Sequence, residues 1–99
     1  MSSHVQAKTI TLFPDSETSL QKHMHREEHW VIMKGVGKVV RCDDEIDVKS
    51  GIYVFVPKES KHKIINTSLN DNLVLSEVQL GDYFGEDDII RYSDKYGRI

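Results

Sequence analysis

The stretch SLQKHMHREEHWVIMKGVGKVV, Ser19 to Val40, decides how this chain is read. From Ser19 to His25 the residues alternate, with Leu20, Lys22 and Met24 on one face and Gln21, His23 and His25 on the other. That is the period of a β-strand. Trp30 to Met33 is an apolar run that stops at Lys34-Gly35, and Gly37 to Cys42 is a further valine-rich strand. Outward from this stretch the same grammar continues. Val5 to Phe13 reads as a strand ended by Pro14-Asp15-Ser16. Asp43-Asp44 and Ser50-Gly51 mark turns around Glu45 to Val48. Strands follow at Ile52 to Val56, Lys61 to Asn66 and Leu73 to Leu80. About eight short strands without helical periodicity predict an all-β fold, a sandwich or closed barrel. In the tail, Glu86-Asp87-Asp88 suits a helix start and Ile89 to Tyr92 suits an edge strand; both remain open.

The 99 residues predict one domain, 1–99, with an N-terminal strand and turn (1–18), a barrel (19–80) and a tail (81–99). Charged residues are 29% of the chain and the net charge is −3, which argues against a nucleic-acid partner. No segment approaches the apolar length of a membrane span. Cys42 is the single cysteine, so no intramolecular disulfide forms, and a packing role is expected for it. With no signal-peptide pattern at the N-terminus, a cytoplasmic setting is expected.

The histidines carry the chemistry. His23 and His25 leave the same strand face, His29 follows a polar turn, and His62 arrives from a distant strand. Convergence of the four predicts a site for one divalent metal ion. Imidazole suits zinc, iron, copper, nickel, cobalt and manganese with differing preference, so ligand type does not name the ion. Glu77 and Gln79 share a face of the last long strand.

The pattern resembles the cupin superfamily. Its first motif runs glycine, five residues, His-x-His, three or four residues, glutamate, six residues, glycine. Matched here through His23-Met24-His25, it puts His29 in the glutamate place, Glu17 in the first glycine place, and Gly35 one residue early. The second motif is met by Gly51, Pro57, His62 and Asn66, with Glu59 in its middle glycine place. The resemblance implies a double-stranded β-helix, or jelly-roll barrel, with a four-histidine site suited to a softer divalent metal. QKHMHREEHWVIMKGVGKVV and EVQLGDYFGEDDIIRYSDKYGR are similar to the C-terminal cupin of type II mannose-6-phosphate isomerases, the module fused to mannose-1-phosphate guanylyltransferases. Relative to that family the nucleotidyltransferase domain and an upstream Arg-Pro-Trp-Gly segment are absent, so no guanylyltransferase activity is expected.

That resemblance implies isomerisation of mannose 6-phosphate to fructose 6-phosphate through an enediol. A metal would polarise the carbonyl while a carboxylate shuttles the proton. Glu77 is the first candidate for that base and Glu28 the second. Gln21, Arg26, Lys38 and Arg91 are candidate substrate-binding residues, with Lys63 and Arg98 as further cations for a phosphate. Trp30 suits either core packing or stacking on a sugar ring. The alternatives are another small four-histidine cupin that uses oxygen, or a sugar-binding cupin without catalysis. The resemblance also implies a homodimer.

Overall fold

The computed structural model describes residues 4–85 and 87–93. Nine strands follow in order: β1 (His4–Leu12), β2 (Leu20–Lys22), β3 (Arg26–Lys34), β4 (Val36–Arg41), β5 (Asp44–Lys49), β6 (Tyr53–Val56), β7 (His62–Asn66), β8 (Leu73–Gly81) and β9 (Ile90–Ser93). They form two antiparallel sheets, β1-β8-β3-β6 and β5-β4-β7-β2-β9. No helix among the described residues is long and apolar enough to cross a membrane.

Strand parity divides the interior into two halves. On β3, Arg26, Glu28, Trp30 and Ile32 point inward, while Glu27, His29, Val31 and Met33 point outward. On β8 the inward set is Leu73, Leu75, Glu77 and Gln79. In the antiparallel register Ile32 faces Leu75, Trp30 faces Glu77 and Glu28 faces Gln79. One end of the barrel is therefore apolar: Leu12, Ile32, Val39, Val48, Val54, Val56, Ile64, Leu73 and Leu75 pack there with Trp30. Each fully buried aliphatic side chain contributes about 1.5–3 kcal/mol of transfer free energy. The other end holds buried polar groups: His23, Arg26, Glu28, His62, Glu77 and Gln79. The stable half carries the cost of the polar half.

Two features hold the sheets in register. Gly37 faces Asn66 on β7, and a Cβ there would lie 2.4 Å from the Ile65 carbonyl oxygen, so only glycine permits this approach. Asn66 is 1% exposed; its Nδ2 donates to the carbonyls of Leu12, Phe13 and Asp71, and its Oδ1 accepts from the Ser68 N–H.

Several expectations are corrected. The strand expected over Ser19 to His25 is confined to Leu20–Lys22, because the chain bends at Met24-His25. The strand expected from Trp30 begins at Arg26. In the tail the edge strand forms, with β9 pairing against β2. Cys42 does not pack: it is exposed in the β4–β5 turn at φ 52°. Glu86 and Arg98 lie outside the described residues.

Candidate metal centre

Three strands and one bend aim side chains into the polar end. His23 follows β2, Glu28 comes from β3, His62 opens β7, and Glu77 comes from β8. One nitrogen of His23, one of His62 and one oxygen of Glu28 lie within 4.8 Å of one another, all buried. The Nε2 of His23 is 3.5 Å from Glu28 Oε2, and the Nε2 of His62 is 4.0 Å from Glu28 Oε1.

Backbone carbonyls decide which imidazole nitrogen is free. His23 Nδ1 lies 2.6 Å from the Asp88 carbonyl, and His62 Nδ1 lies 3.0 Å from the Ser60 carbonyl. A carbonyl only accepts, so each Nδ1 carries the hydrogen and each Nε2 presents its lone pair to the cavity. Burial pushes both imidazoles below their ordinary pKa, with the neighbouring Glu28 opposing it. Both are neutral, the state that ligates a metal.

Asp88 does more than accept from His23. Its Oδ1 and Oδ2 accept the N–H groups of Met24 and His25, each at 3.0 Å. Asp88, part of the acidic run expected to suit a helix start, instead clamps the bend between β2 and β3.

Glu28 is 2% exposed and both its oxygens are engaged, Oε1 by Trp30 Nε1 at 3.1 Å and Oε2 by Arg26 Nε at 2.9 Å. Burial pushes its carboxyl up, but His62, His23 and Arg26 together outweigh this and hold it below the usual range. The two imidazoles act on Glu28 in this way when protonated; with both neutral, Arg26 is the cation that remains beside it. Glu77 behaves oppositely. Burial, then the adjacent Glu28 charge, raise its pKa from 4.5 to about 7. In its acid form it donates to Glu28, and Gln79 Nε2 donates to its Oε2. Lys8 Nζ stands 3.8 Å away. Gln79 Oε1 is the single buried side-chain polar atom without a partner among the described residues.

Lys8, His23, Arg26, Glu28, His62 and Glu77 line a cavity of about 170 Å³, with Gln21 and Arg91 at its wall. It shares Ile10, Thr18, Gln21 and Arg91 with an open groove of about 520 Å³. The sequence-predicted residues Gln21, His23, Arg26, Glu28, His62, Glu77 and Arg91 are thus brought together. His25 and His29 are not. The bend at Met24-His25 turns His25 outward, where it is 3.7 Å from Asp82 and more than half exposed. His29 has the opposite parity to Glu28, so it lies on the outer face of β3. There its Nε2 donates to Glu27 at 2.6 Å and its Nδ1 accepts from the Tyr53 hydroxyl at 2.5 Å. Lys38 pairs with Glu45, and Lys63 with Glu17, away from the cavity. Trp30 is a core residue that also serves Glu28.

Backbone geometry explains the misplaced histidines. Besides Cys42, positive φ occurs at Asp15 (57°), Gly35 (92°), Gly51 (92°) and Glu59 (65°). Set on these four as the motif glycines, the first cupin motif starts at Asp15 and ends at Gly35. Its His-x-His then falls on Gln21-Lys22-His23 and its glutamate on Glu28. The match through His23 and His25 is therefore two residues out of register at its start. Gln21 stands in the first ligand place and a carboxylate, not a fourth imidazole, stands in the glutamate place. Gln21 is also the residue of β2 that faces His62 on β7.

The donor set fits a divalent ion: two neutral imidazole lone pairs and one carboxylate, with the Gln21 amide at the cavity wall. Two histidines and one carboxylate with remaining open positions suit an octahedral or five-coordinate centre. A two-sheet barrel of this topology, with its polar cluster at one end of the interior, is a cupin, a double-stranded β-helix. Within that class the chain belongs to the family of the mannose-6-phosphate isomerase C-terminal domain, whose pattern matches residues 1–94. It is 40% identical over 98 residues to the xanthan biosynthesis protein XanB of Xanthomonas campestris pv. campestris strain B100, covering 99% of this chain and 21% of that protein. It is 42% identical over 93 residues to a mannose-1-phosphate guanylyltransferase of Salmonella montevideo, covering 94% of this chain and 20% of that protein. The chain thus spans about a fifth of the length of these relatives. A double-stranded β-helix protein from Klebsiella pneumoniae subsp. pneumoniae shares the fold at a TM-score of 0.75 and 14% identity, covering 92% of this chain and 76% of that one.

Proposed function

We propose that the chain is a metal-dependent sugar-phosphate isomerase, interconverting mannose 6-phosphate and fructose 6-phosphate. One observation carries the reading: in a member of this family, a carboxyl with its pKa raised to about 7 sits in the same cavity as two imidazole nitrogens that carry no hydrogen and a fixed carboxylate. A group that titrates near neutrality takes and returns a proton with little free-energy penalty.

Held by His23, Glu28 and His62, a divalent ion would polarise the sugar carbonyl and stabilise negative charge on its oxygen. The protein's own groups do the rest. Ionised Glu77 removes the proton from C2 of the open-chain aldose; the electron pair forms the C1–C2 double bond and the aldehyde oxygen takes up a proton. The C2 hydroxyl of the enediol then gives up its proton, which replaces the one taken up at the C1 oxygen, as the C2 carbonyl forms and Glu77 returns its own proton to C1. Gln79 orients Glu77 by donating to it. Gln21 meets sugar hydroxyls at the wall, and Arg91, shared with the outer groove, receives the phosphate. The buried lining keeps competing water off the enediol.

A coupled assay of mannose 6-phosphate turnover with zinc, manganese, cobalt, nickel or iron, each with and without chelator, tests the reading. Absence of turnover with every ion sinks it. The two-histidine, one-carboxylate set supports a second reading, an oxygen-using iron enzyme. Oxygen uptake by iron-loaded protein without isomerase activity would select that one. Tight sugar-phosphate binding without turnover would select a non-catalytic role. A homodimer remains part of the proposal, checked by light scattering.

A further inference from the structure

The side chain of Arg26 reaches between two of the candidate metal ligands, His23 and Glu28. It is buried, with 7% of its surface exposed. Its Nη2 lies 3.1 Å from His23 Nε2, and its Nε lies 2.9 Å from Glu28 Oε2. Two of the three candidate ligands are therefore already joined by one cation.

We propose that Arg26 is a built-in cation that competes with the metal for His23, so that loading requires the guanidinium to leave the ring. This inference rests on the metal reading of the site and adds a control to it.

The argument begins with the imidazole. His23 Nδ1 is committed to the Asp88 carbonyl, so Nε2 has one in-plane lone pair and no hydrogen. A guanidinium only donates, so the 3.1 Å contact is a hydrogen bond accepted by that lone pair. Such a lone pair serves one partner at a time, and a metal needs it at about 2.0–2.1 Å. Charge works in the same direction. The Arg26 guanidinium carries a positive charge, and Glu28 is its counter-ion. A dication entering the cavity meets this positive charge beside its own ligands. Arg26 therefore lowers metal affinity twice, by holding the lone pair and by repelling the ion.

Room exists for the exchange. The cavity of about 170 Å³ opens toward the groove that shares Gln21 and Arg91. Leaving His23 does not require leaving Glu28, because separate nitrogens, Nη2 and Nε, serve the two partners.

The opposite possibility is equally definite: Arg26 serves to hold Glu28 in its ligating pose, and removing it loosens the site. The two accounts predict opposite signs. Isothermal titration calorimetry of chelator-stripped protein with manganese(II) alone, and again with cobalt(II), separates them. Arg26→Met should bind at least tenfold more tightly than the wild type, with Arg26→Gln shifting the same way. The glutamine variant keeps a donor for Glu28 and serves if the methionine variant does not fold. In metal-free protein, the nitrogen-15 resonance of His23 Nε2 should move toward that of a lone pair with no hydrogen-bond partner in either variant. Equal or weaker binding by folded variants, with the wild type still binding, overturns the inference and leaves the metal reading standing. If neither wild type nor variant binds an ion, the metal reading falls and takes the inference with it.

Discussion

Replacing Glu77 by glutamine should stabilise the metal-free protein, and increasingly so as the pH rises. Burial and the Glu28 charge raise the Glu77 pKa from 4.5 to about 7. Displacing a carboxyl that far corresponds to about 3 kcal/mol between its two protonation states. The sign follows from the direction. Below pH 4.5 Glu77 is protonated in both folded and unfolded chains, and its contribution is fully present. Between 4.5 and 7 the unfolded chain ionises first, so stability falls as pH rises; above about 7 both states are ionised and the loss levels off. Glutamine mimics the protonated acid: its oxygen accepts from Gln79 and its amide donates to Glu28. The difference in unfolding free energy, Glu77→Gln minus wild type, should therefore grow by about 3 kcal/mol between pH 4.5 and 7.5 and then flatten. The pKa values of His23 and His62, lowered by burial, produce an opposite slope below pH 6.5, and the lowered pKa of Glu28 adds one below 4.5. Both slopes belong to the two proteins alike, so they leave the difference largely unchanged. Urea denaturation across this range in the presence of chelator measures it. A flat difference curve, or one that falls with pH, refutes the account of Glu77. The same variant should lose isomerase turnover if Glu77 moves the proton.

Metal titration of single variants should divide the histidines: His25→Ala and His29→Ala should bind as the wild type does, while His23→Ala and His62→Ala should weaken binding about 100-fold or more, as loss of a direct ligand does. Loss of binding in His29→Ala would restore the four-histidine site. Asn66→Ala removes three donated bonds and one accepted bond inside the barrel, and should cost about 3 kcal/mol of unfolding free energy in urea; a loss below about 1 kcal/mol would mean water replaces the amide. Asp88→Ala removes both acceptors from the bend, and nitrogen-15 spectra of the metal-free variant should show His23 leaving its single Nδ1–H tautomer. An unchanged tautomer would show that the carbonyl stays in place without the carboxylate.

Much of the barrel is legible in the sequence because strand alternation survives wherever one face is buried. Leu73 to Leu80 reads correctly, and with it the shared inward face of Glu77 and Gln79. His62 and Asn66 are fixed by their distance from Gly51 and Pro57. The misreading arises where alternation breaks. Counting by twos through Met24-His25 carries His25 inward, yet the bend there inverts the parity, and β3 resumes with Arg26 and Glu28 inside. Trp30 and Ile32 hold the signal that was available: if they are core, Glu28 is inside and His29 is outside. Glycine identity was a poor guide, because Asp15 and Glu59 adopt the left-handed backbone usually left to glycine, which aspartate tolerates better than most residues. The clamp by Asp88 could not be read locally, since it joins residues 63 to 65 positions apart.

That separation has a consequence for how the protein is made. Strand β2, which precedes the bend and leads into His23, takes its sheet neighbours from β7 and β9, both of which leave the ribosome later. The apolar half can begin to close once β8 has emerged, but the His23 ring is fixed only after Asp88 has followed. Synthesis of the segment that carries Asp88 is therefore also the step that sets the His23 ring, and a chain that stopped before it would leave that ring unset.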